Sequence, residues 1–135
     1  SSSSSTWLRE SSSTNSALLP LLKASPGGRV VNHSSIMGSM TVMSDPNSLS
    51  VEMAVPVYCS SKAALNMLTV TTARRLVGSN VKVNSAHPGW VKTDMGSDRA
   101  PMEIVDGAKT AVALALLPDD GPTAGFFHLG ETLPW

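Results

Sequence analysis

Several residue types are scarce in this sequence of 135 residues. It has one cysteine and three histidines, so an internal disulfide is excluded, and the histidines lack the spacing of metal ligands. No apolar run approaches the ~20 residues of a membrane span, and no secretory signal opens the sequence. Ten basic and ten acidic residues cancel, which leaves no basic excess to attract nucleic acid. We predict a soluble, cytoplasmic protein with no metal, membrane or nucleic-acid partner.

The first residues differ in composition from the rest of the chain. Serines fill positions 1–5 and 11–13, and the residues between them show no periodic apolar face. We predict that residues 1–15 form a low-complexity leader with little order. Residues 16–135 then form one small domain, since 41% of the chain is hydrophobic and can supply a core.

Strand-like and helix-like segments alternate in that domain. Short β-branched runs indicate strands, and longer periodic runs that stop at prolines indicate helices. The order strand, helix, strand, helix, strand predicts an α/β fold with parallel strands joined by crossovers. The expected strands lie at 29–32, 81–84 and 125–128, and the expected helices at about 57–77 and 102–117.

Tyr58 and Lys62 are the most informative pair. Four residues separate them in a predicted helix, so their side chains share one face. An adjacent cation favours the phenolate over the phenol, which suits proton transfer to or from a substrate oxygen. The pair alone proves little, because Tyr and Lys at this spacing also occur on many solvated helix faces.

Polar loops at two strand ends support a site beside this pair. Ser34 and Ser35 follow the first strand, and Pro88 and Gly89 follow the second. Because the carboxyl ends of parallel strands meet at one edge of the sheet, both loops and the helix start can converge on one crevice. A Ser/His hydrolase is disfavoured, since no Gly-x-Ser-x-Gly elbow accompanies His33 or His87. Ser34 is better explained as a turn residue.

These segments resemble the short-chain dehydrogenase/reductase family, in its carbonyl-reductase-like branch, over residues 18–135. The resemblance implies a partial Rossmann-like, doubly wound parallel sheet with about three strands and flanking helices. It also implies that the amino-terminal, nucleotide-binding half of the family domain is missing. Three motifs in order carry it: Asn32-His33-Ser34-Ser35, Tyr58-Cys59-Ser60-Ser61-Lys62 and Pro88-Gly89-Trp90-Val91-Lys92-Thr93.

The same resemblance implies roles for individual residues. Tyr58 would exchange a proton with the substrate oxygen, Ser35 would hold that oxygen, and Lys62 would assist Tyr58. The substrate would be a small carbonyl compound or alcohol. The cofactor would be NADP or NAD, with NADP favoured by the resemblance alone. The cofactor-binding residues would be Tyr58, Lys62, Pro88, Gly89, Val91 and Thr93.

The nucleotide cradle expected of such an enzyme is absent from the sequence. Pyrophosphate normally sits on a Gly-rich turn between a strand and a helix, but Gly27-Gly28 precedes a strand instead. Missing strands would also leave the first strand with an unpaired edge. The sequence therefore favours a truncated chain that is inactive alone. The alternative function is a noncatalytic remnant or interaction fragment that does not bind dinucleotide, with self-association through the exposed edge or helices.

Overall fold

The computed structural model describes residues 2–48, 54–89 and 104–135, without the side chains of residues 2–12 and 104–106. Helices and strands alternate along the described segments, as the sequence predicts. A single 3₁₀ turn, Ile36–Gly38, follows the first strand. In chain order the other elements are α1 (Ser2–Ala24), β1 (Arg29–His33), α2 (Met40–Ser44), α3 (Pro56–Arg75), β2 (Lys82–Ala86), α4 (Ile104–Ala115), β3 (Phe126–His128) and β4 (Glu131–Thr132).

The described strands form one open sheet in the order β1-β2-β3-β4. β1 pairs with β2 in parallel, with Val30 beside Val83, and β2 pairs with β3 in parallel, with Ser85 beside Phe126. The three predicted parallel strands are thereby confirmed. The two residues of β4 add an antiparallel edge that the sequence did not indicate.

Helices cover both faces of this sheet. Val30 packs on one face in a cluster that includes residues of α1, α3 and β2. The preceding residue, Arg29, donates a hydrogen bond from Nε to the carbonyl oxygen of Leu117, just beyond α4, at 2.9 Å. Because successive strand residues point to opposite faces, α1 and α3 lie on one side and α4 on the other. The doubly wound arrangement is confirmed. The cluster comprises Ala73, Leu76, Val81 and Val83 with Leu19, Leu22, Val30 and Ala124.

The amino-terminal segment is helical in the structure. Ser2–Ala24 forms one helix, with Pro20 inside it. Serine costs at most about 0.7 kcal/mol per residue relative to alanine in a helix, and no glycine interrupts the run. Packing of Leu19 and Leu22 against the core holds the carboxyl end of the helix, so turns can propagate from there. The division into a leader and a domain stays a prediction.

Helix α3 carries the Tyr58 and Lys62 pair in its first two turns. It begins with Pro56, whose missing N–H costs nothing at the start of a helix. It ends with Arg74 and Arg75, whose charges favour the carboxyl terminus of a helix. The predicted helix is confirmed and ends two residues earlier than expected. None of the helices in the described segments is both long and apolar enough to cross a membrane.

The last residues of the chain return to the segment that follows β1. The Ser39 hydroxyl donates to the carbonyl oxygen of Pro134 at 2.8 Å, and the Met40 N–H donates to the carbonyl oxygen of Trp135. The Trp135 ring stacks on Phe126 with 5.5 Å between ring centroids. This tail therefore supports the loop at the carboxyl end of β1.

Candidate functional site

Lys62 joins helix α3 to the end of strand β1. Its Nζ donates a hydrogen bond to the carbonyl oxygen of His33 at 3.2 Å. The same ammonium lies over the Tyr58 ring, 5.7 Å from the ring centroid. Partial burial lowers the pKa of Lys62 because desolvation disfavours its charged form. The cation thus lies between the phenol and the end of the strand that precedes Ser35.

Ser35 begins the 3₁₀ turn after β1. Its backbone is extended, with φ −150° and ψ 150°, and its Oγ accepts a hydrogen bond from the Met37 N–H at 3.2 Å. The residue is buried, with 8% of its surface exposed. A hydroxyl that accepts one bond still has its hydrogen to donate, so Ser35 can donate to an oxygen placed beside it.

The 3₁₀ turn lies very close to helix α3. A Cβ atom on Gly38 would lie 2.7 Å from the carbonyl carbon of Lys62, and Asn66 Nδ2 donates to the Gly38 carbonyl oxygen at 3.3 Å. Ser35 is thus flanked by two contacts with Lys62, one through His33 and one through Gly38. Lys62 thus contacts both Tyr58 and the segment that carries Ser35, and the catalytic roles of the three residues stay predictions.

Pro88 and Gly89 lie at the same edge of the sheet, directly after β2 and His87. Gly89 has φ +87°, a conformation that side-chain-bearing residues rarely adopt. The His87 ring contacts the 3₁₀ turn, since its Nδ1 accepts a hydrogen bond from the Ile36 N–H at 3.0 Å. Val91 and Thr93, the other predicted cofactor-binding residues, lie outside the described residues.

Ser34 and His87 add buried polar groups to this edge. The Ser34 N–H donates to the Ala86 carbonyl oxygen at 2.8 Å, which supports its interpretation as a turn residue. Its Oγ is buried and has no hydrogen-bond partner within the described part of the chain. Burial and the neighbouring His128 lower the pKa of His87 to about 4, so the ring is neutral at pH 7.

Among residues 2–48, 54–89 and 104–135, no three His, Cys, Asp or Glu side chains group as metal ligands.

Sequence reasoning missed three residues that shape the site. Gly38 and Asn66 hold the 3₁₀ turn against α3, and His87 holds it from β2. Asn66 had a detectable signal, because it follows Lys62 by four residues and so shares its helix face. Gly38 and His87 had none, since their contacts join segments that are distant in sequence.

Comparison with known proteins gives these positions a family context. A sequence model described as short chain dehydrogenase matches residues 11–104. The (-)-isopiperitenone reductase of Mentha piperita is 33% identical over 150 residues, covering 87% of this chain and 47% of the relative. The carbonyl reductase Sniffer of D. melanogaster is 31% identical with a TM-score of 0.71, covering 95% of this chain and 57% of that one.

A third relative is known with its cofactor. The structure of NADPH-bound carbonyl reductase from chicken fatty liver has a TM-score of 0.74 at 26% identity and covers 95% of this chain and 55% of that one. The chain spans about half the length of the curated relatives it matches. The family match covers most of the chain, and its fold agrees with that of the solved structures. The chain therefore belongs to the short-chain dehydrogenase family, a family of oxidoreductases.

Proposed function

We propose that this chain carries the catalytic residues of a nicotinamide-dependent carbonyl reductase or alcohol dehydrogenase. One observation supports this most strongly. The Lys62 ammonium lies over the Tyr58 ring and bonds the carbonyl oxygen of His33, two residues before Ser35. The cation thus links the phenol to the turn that bears the Ser35 hydroxyl, an arrangement that would suit a reaction that develops charge on a single oxygen.

We assign a different role at that oxygen to each of three residues, Tyr58, Ser35 and Lys62. In the reducing direction, the Tyr58 hydroxyl donates its proton to the carbonyl oxygen while the Ser35 hydroxyl donates a hydrogen bond to the same atom. Lys62 stabilises the phenolate that Tyr58 becomes, because an opposite charge favours the ionised form. In the oxidising direction Tyr58 accepts the proton. Burial of Ser35 keeps competing water away from its hydroxyl.

The described residues fit one end of a nicotinamide dinucleotide. Lys62 and Tyr58 offer donors for ribose hydroxyls, and Gly89 at φ +87° lets the backbone after Pro88 approach a flat ring. When bound, the dinucleotide supplies or receives the hydride. Val91 and Thr93 complete the proposed cofactor set. NADP is the favoured dinucleotide, because one related carbonyl reductase binds NADPH.

The substrate and the location of the protein are parts of the same proposal. The relatives are named as reductases of small molecules, so we assign a small carbonyl compound or alcohol as substrate. Residues 36–57, between Ser35 and Tyr58, and the predicted loop after Thr93 are the segments that would distinguish one substrate from another. A cytoplasmic location stays a prediction.

The open edge of β1 favours a second candidate function for the isolated chain. In the described part of the chain, β1 has one strand neighbour, β2, so its other edge exposes unpaired backbone groups. On this alternative the 135 residues alone do not bind dinucleotide and associate with a second copy. Titration with NADPH and NADH separates the two candidates, since the alternative requires that saturable binding be absent at micromolar concentrations.

Replacing Tyr58 tests the proposed chemistry. Where the titration finds NADPH binding, Tyr58→Phe, which removes only the hydroxyl, should lower kcat for NADPH-dependent reduction of a small ketone by roughly 10²–10⁴, while the thermal unfolding midpoint stays within about 2 °C. Ser60→Ala is the matched control, because it removes a hydroxyl from an exposed position on the same helix and should leave kcat unchanged. An active Tyr58→Phe variant with unaltered kcat would exclude Tyr58 as the acid.

A further inference from the structure

His87 connects the end of β2 to the turn that follows β1. The Ile36 N–H donates to its Nδ1 at 3.0 Å, across 51 positions of sequence. A ring nitrogen accepts a hydrogen bond only when it carries no hydrogen, so the His87 ring must be neutral with its hydrogen on Nε2. The bond therefore defines both the tautomer and the direction of the ring.

Strand β3 holds His87 from the opposite side. The His87 N–H donates to the Phe127 carbonyl oxygen at 2.9 Å, and His128 Nδ1 donates to the His87 carbonyl oxygen at 2.8 Å. The two imidazole rings lie 5.0 Å apart at an angle of 51°. Both backbone groups of His87 are thus bonded to β3, while its ring accepts the hydrogen bond from the turn after β1.

The amide that His87 holds belongs to the peptide group joining Ser35 to Ile36. Because that group is planar, fixing its N–H also fixes the Ser35 carbonyl and the ψ angle of Ser35. The Ser35 carbonyl oxygen in turn accepts from the Gly38 N–H at 2.9 Å. The orientation of the Ser35 backbone thus depends on a contact made from the neighbouring strand, and the Ser35 Oγ is held within the same turn by the Met37 N–H.

We propose that His87 is a positioning residue for the Ser35 hydroxyl. Through Nδ1 it holds the peptide group after Ser35, and so maintains the turn in which the Met37 N–H donates to the Ser35 Oγ. His87 cannot act as a base while this bond is made, because Nδ1 is occupied by the Ile36 amide and Nε2 already carries a hydrogen. The functional meaning of this positioning rests on the proposed role of Ser35 above, whereas the positioning itself does not.

Two variants of the full 135-residue chain separate the acceptor from the bulk of the ring. His87→Asn keeps an acceptor oxygen close to the place of Nδ1, and His87→Leu has a comparable volume with no acceptor. In ¹⁵N spectra, the Ile36 amide should exchange with solvent about tenfold faster in the Leu variant and within about threefold of the parent in the Asn variant. Equal exchange rates in the Leu variant and the parent would overturn the proposal.

The χ1 rotamer of Ser35 distinguishes a positioning role of His87 from a merely structural one, since a structural role would leave this rotamer unchanged. Three-bond couplings should report one Ser35 χ1 rotamer in the parent and in His87→Asn, and an average over rotamers in His87→Leu. A single rotamer in the Leu variant would contradict the inference even if the Ile36 amide were loosened. Both measurements need no turnover, so they can succeed when the Tyr58→Phe test fails, and the two failures are distinguishable.

The unsubstituted protein provides a check that does not depend on the folding of any variant. Ring ¹⁵N shifts of His87 at pH 7 should show a hydrogen on Nε2 and none on Nδ1. A hydrogen on Nδ1, in either the neutral or the charged ring, would rule out the bond from Ile36 and with it the proposal.

Discussion

The tightest approach among single residues of the site is that of Gly38 to Lys62. A methyl group at position 38 would lie 2.7 Å from the Lys62 carbonyl carbon and 2.9 Å from its Cβ. Neither atom can move without shifting helix α3, because both belong to or adjoin its backbone. The Ser35 turn can therefore pack this closely against Lys62 only while position 38 is glycine.

Gly38→Ala should destabilise the protein by about 1–3 kcal/mol, the usual cost of forcing an extra carbon into a packed site. Gly27→Ala is the matched control, since the nearest atom to its added carbon would be 3.8 Å away, and its effect should stay within about 0.5 kcal/mol. Urea unfolding measures both. Equal stabilities of the two variants would mean that the turn does not pack on α3 this closely.

The lowered pKa of His87 predicts acid sensitivity. His87 has a pKa of about 4 in the folded protein, against 6.5 ordinarily, because of burial and the charge of His128 on β3. Between these values the unfolded chain binds a proton that the folded chain does not. The contribution of the neutral His87 ring to the free energy of unfolding is therefore fully present above pH 6.5. It declines as the pH falls toward 4, with a slope of at most about 1.4 kcal/mol per pH unit. Solvent screening of this half-buried ring reduces that slope.

Urea unfolding at pH 7, 5.5 and 4.5 tests the acid sensitivity. His87→Asn cannot take up this proton and should show a shallower decline than the parent. If parent and variant lost stability in parallel, the decline would come from groups other than His87.

At the scale of elements, a buried polar network joins α3 to both β1 and β2. Thr69 is completely buried. Its Oγ1 accepts from Asn32 Nδ2 at 3.0 Å, donates to the Leu65 carbonyl oxygen at 3.1 Å and shares a hydrogen bond of 2.7 Å with Ser85 Oγ. One hydroxyl thus satisfies polar groups on two strands, and it fixes the rotation of the helix that carries Tyr58.

Thr69→Val keeps the shape of the side chain and removes this hydroxyl. Asn32 and Ser85 then lose a buried partner, and each group left unpaired costs about 1–3 kcal/mol. Thr71→Val is the matched control, since the Thr71 hydroxyl is exposed and bonds carbonyl oxygens of its own helix. Its effect should be within about 0.5 kcal/mol. If chemical unfolding showed that both variants lose the same free energy of unfolding, the network would not contribute to stability.

The long elements could be predicted from the sequence, and the short ones could not. Periodicity identified β1, β2, β3, α3 and α4, because each repeats its pattern over enough residues to be recognised. The 3₁₀ turn and α2 have three and five residues, and side-chain caps from Ser35 and Ser39 start them. Such segments have no period, so their conformation depends on contacts made elsewhere.

The same limit applies to the site. The spacing of Tyr58 and Lys62 predicted a shared helix face, and the ammonium does lie over the ring. The bond from Ile36 to His87 crosses 51 residues, and no local pattern reports such a partner. Sequence reasoning considered His87 as half of a nucleophilic pair, whereas its ring nitrogen accepts a backbone hydrogen bond.

At the scale of the whole molecule, the feature with the largest consequence is the open edge of β1. The Gly28 carbonyl and the Ser34 N–H both bond β2, so by alternation Val30 directs its backbone groups to β2 and Val31 directs its own away. The Val31 N–H is therefore a donor that a second chain can reach.

Val31→Pro should reduce self-association and leave the fold intact, because proline at an edge removes only an outward donor. Val30→Pro is the control that breaks the β1–β2 ladder and should unfold the chain. Sedimentation velocity over a range of concentrations measures association, and far-UV circular dichroism measures folding. A parent that stays monomeric at all concentrations, or a Val31→Pro variant that associates equally well, would exclude this edge as the interface.

The hydrogen bond between Ser39 and Pro134 spans 95 positions, which has a consequence for biosynthesis. Ribosomes add about 5–20 residues per second, so roughly 5 to 20 s pass between the synthesis of Ser39 and that of Pro134. Throughout that interval the segment after β1 in the nascent polypeptide lacks this hydrogen bond. Slow codons between positions 39 and 134 would lengthen this interval and, with it, the time available for chaperones to bind.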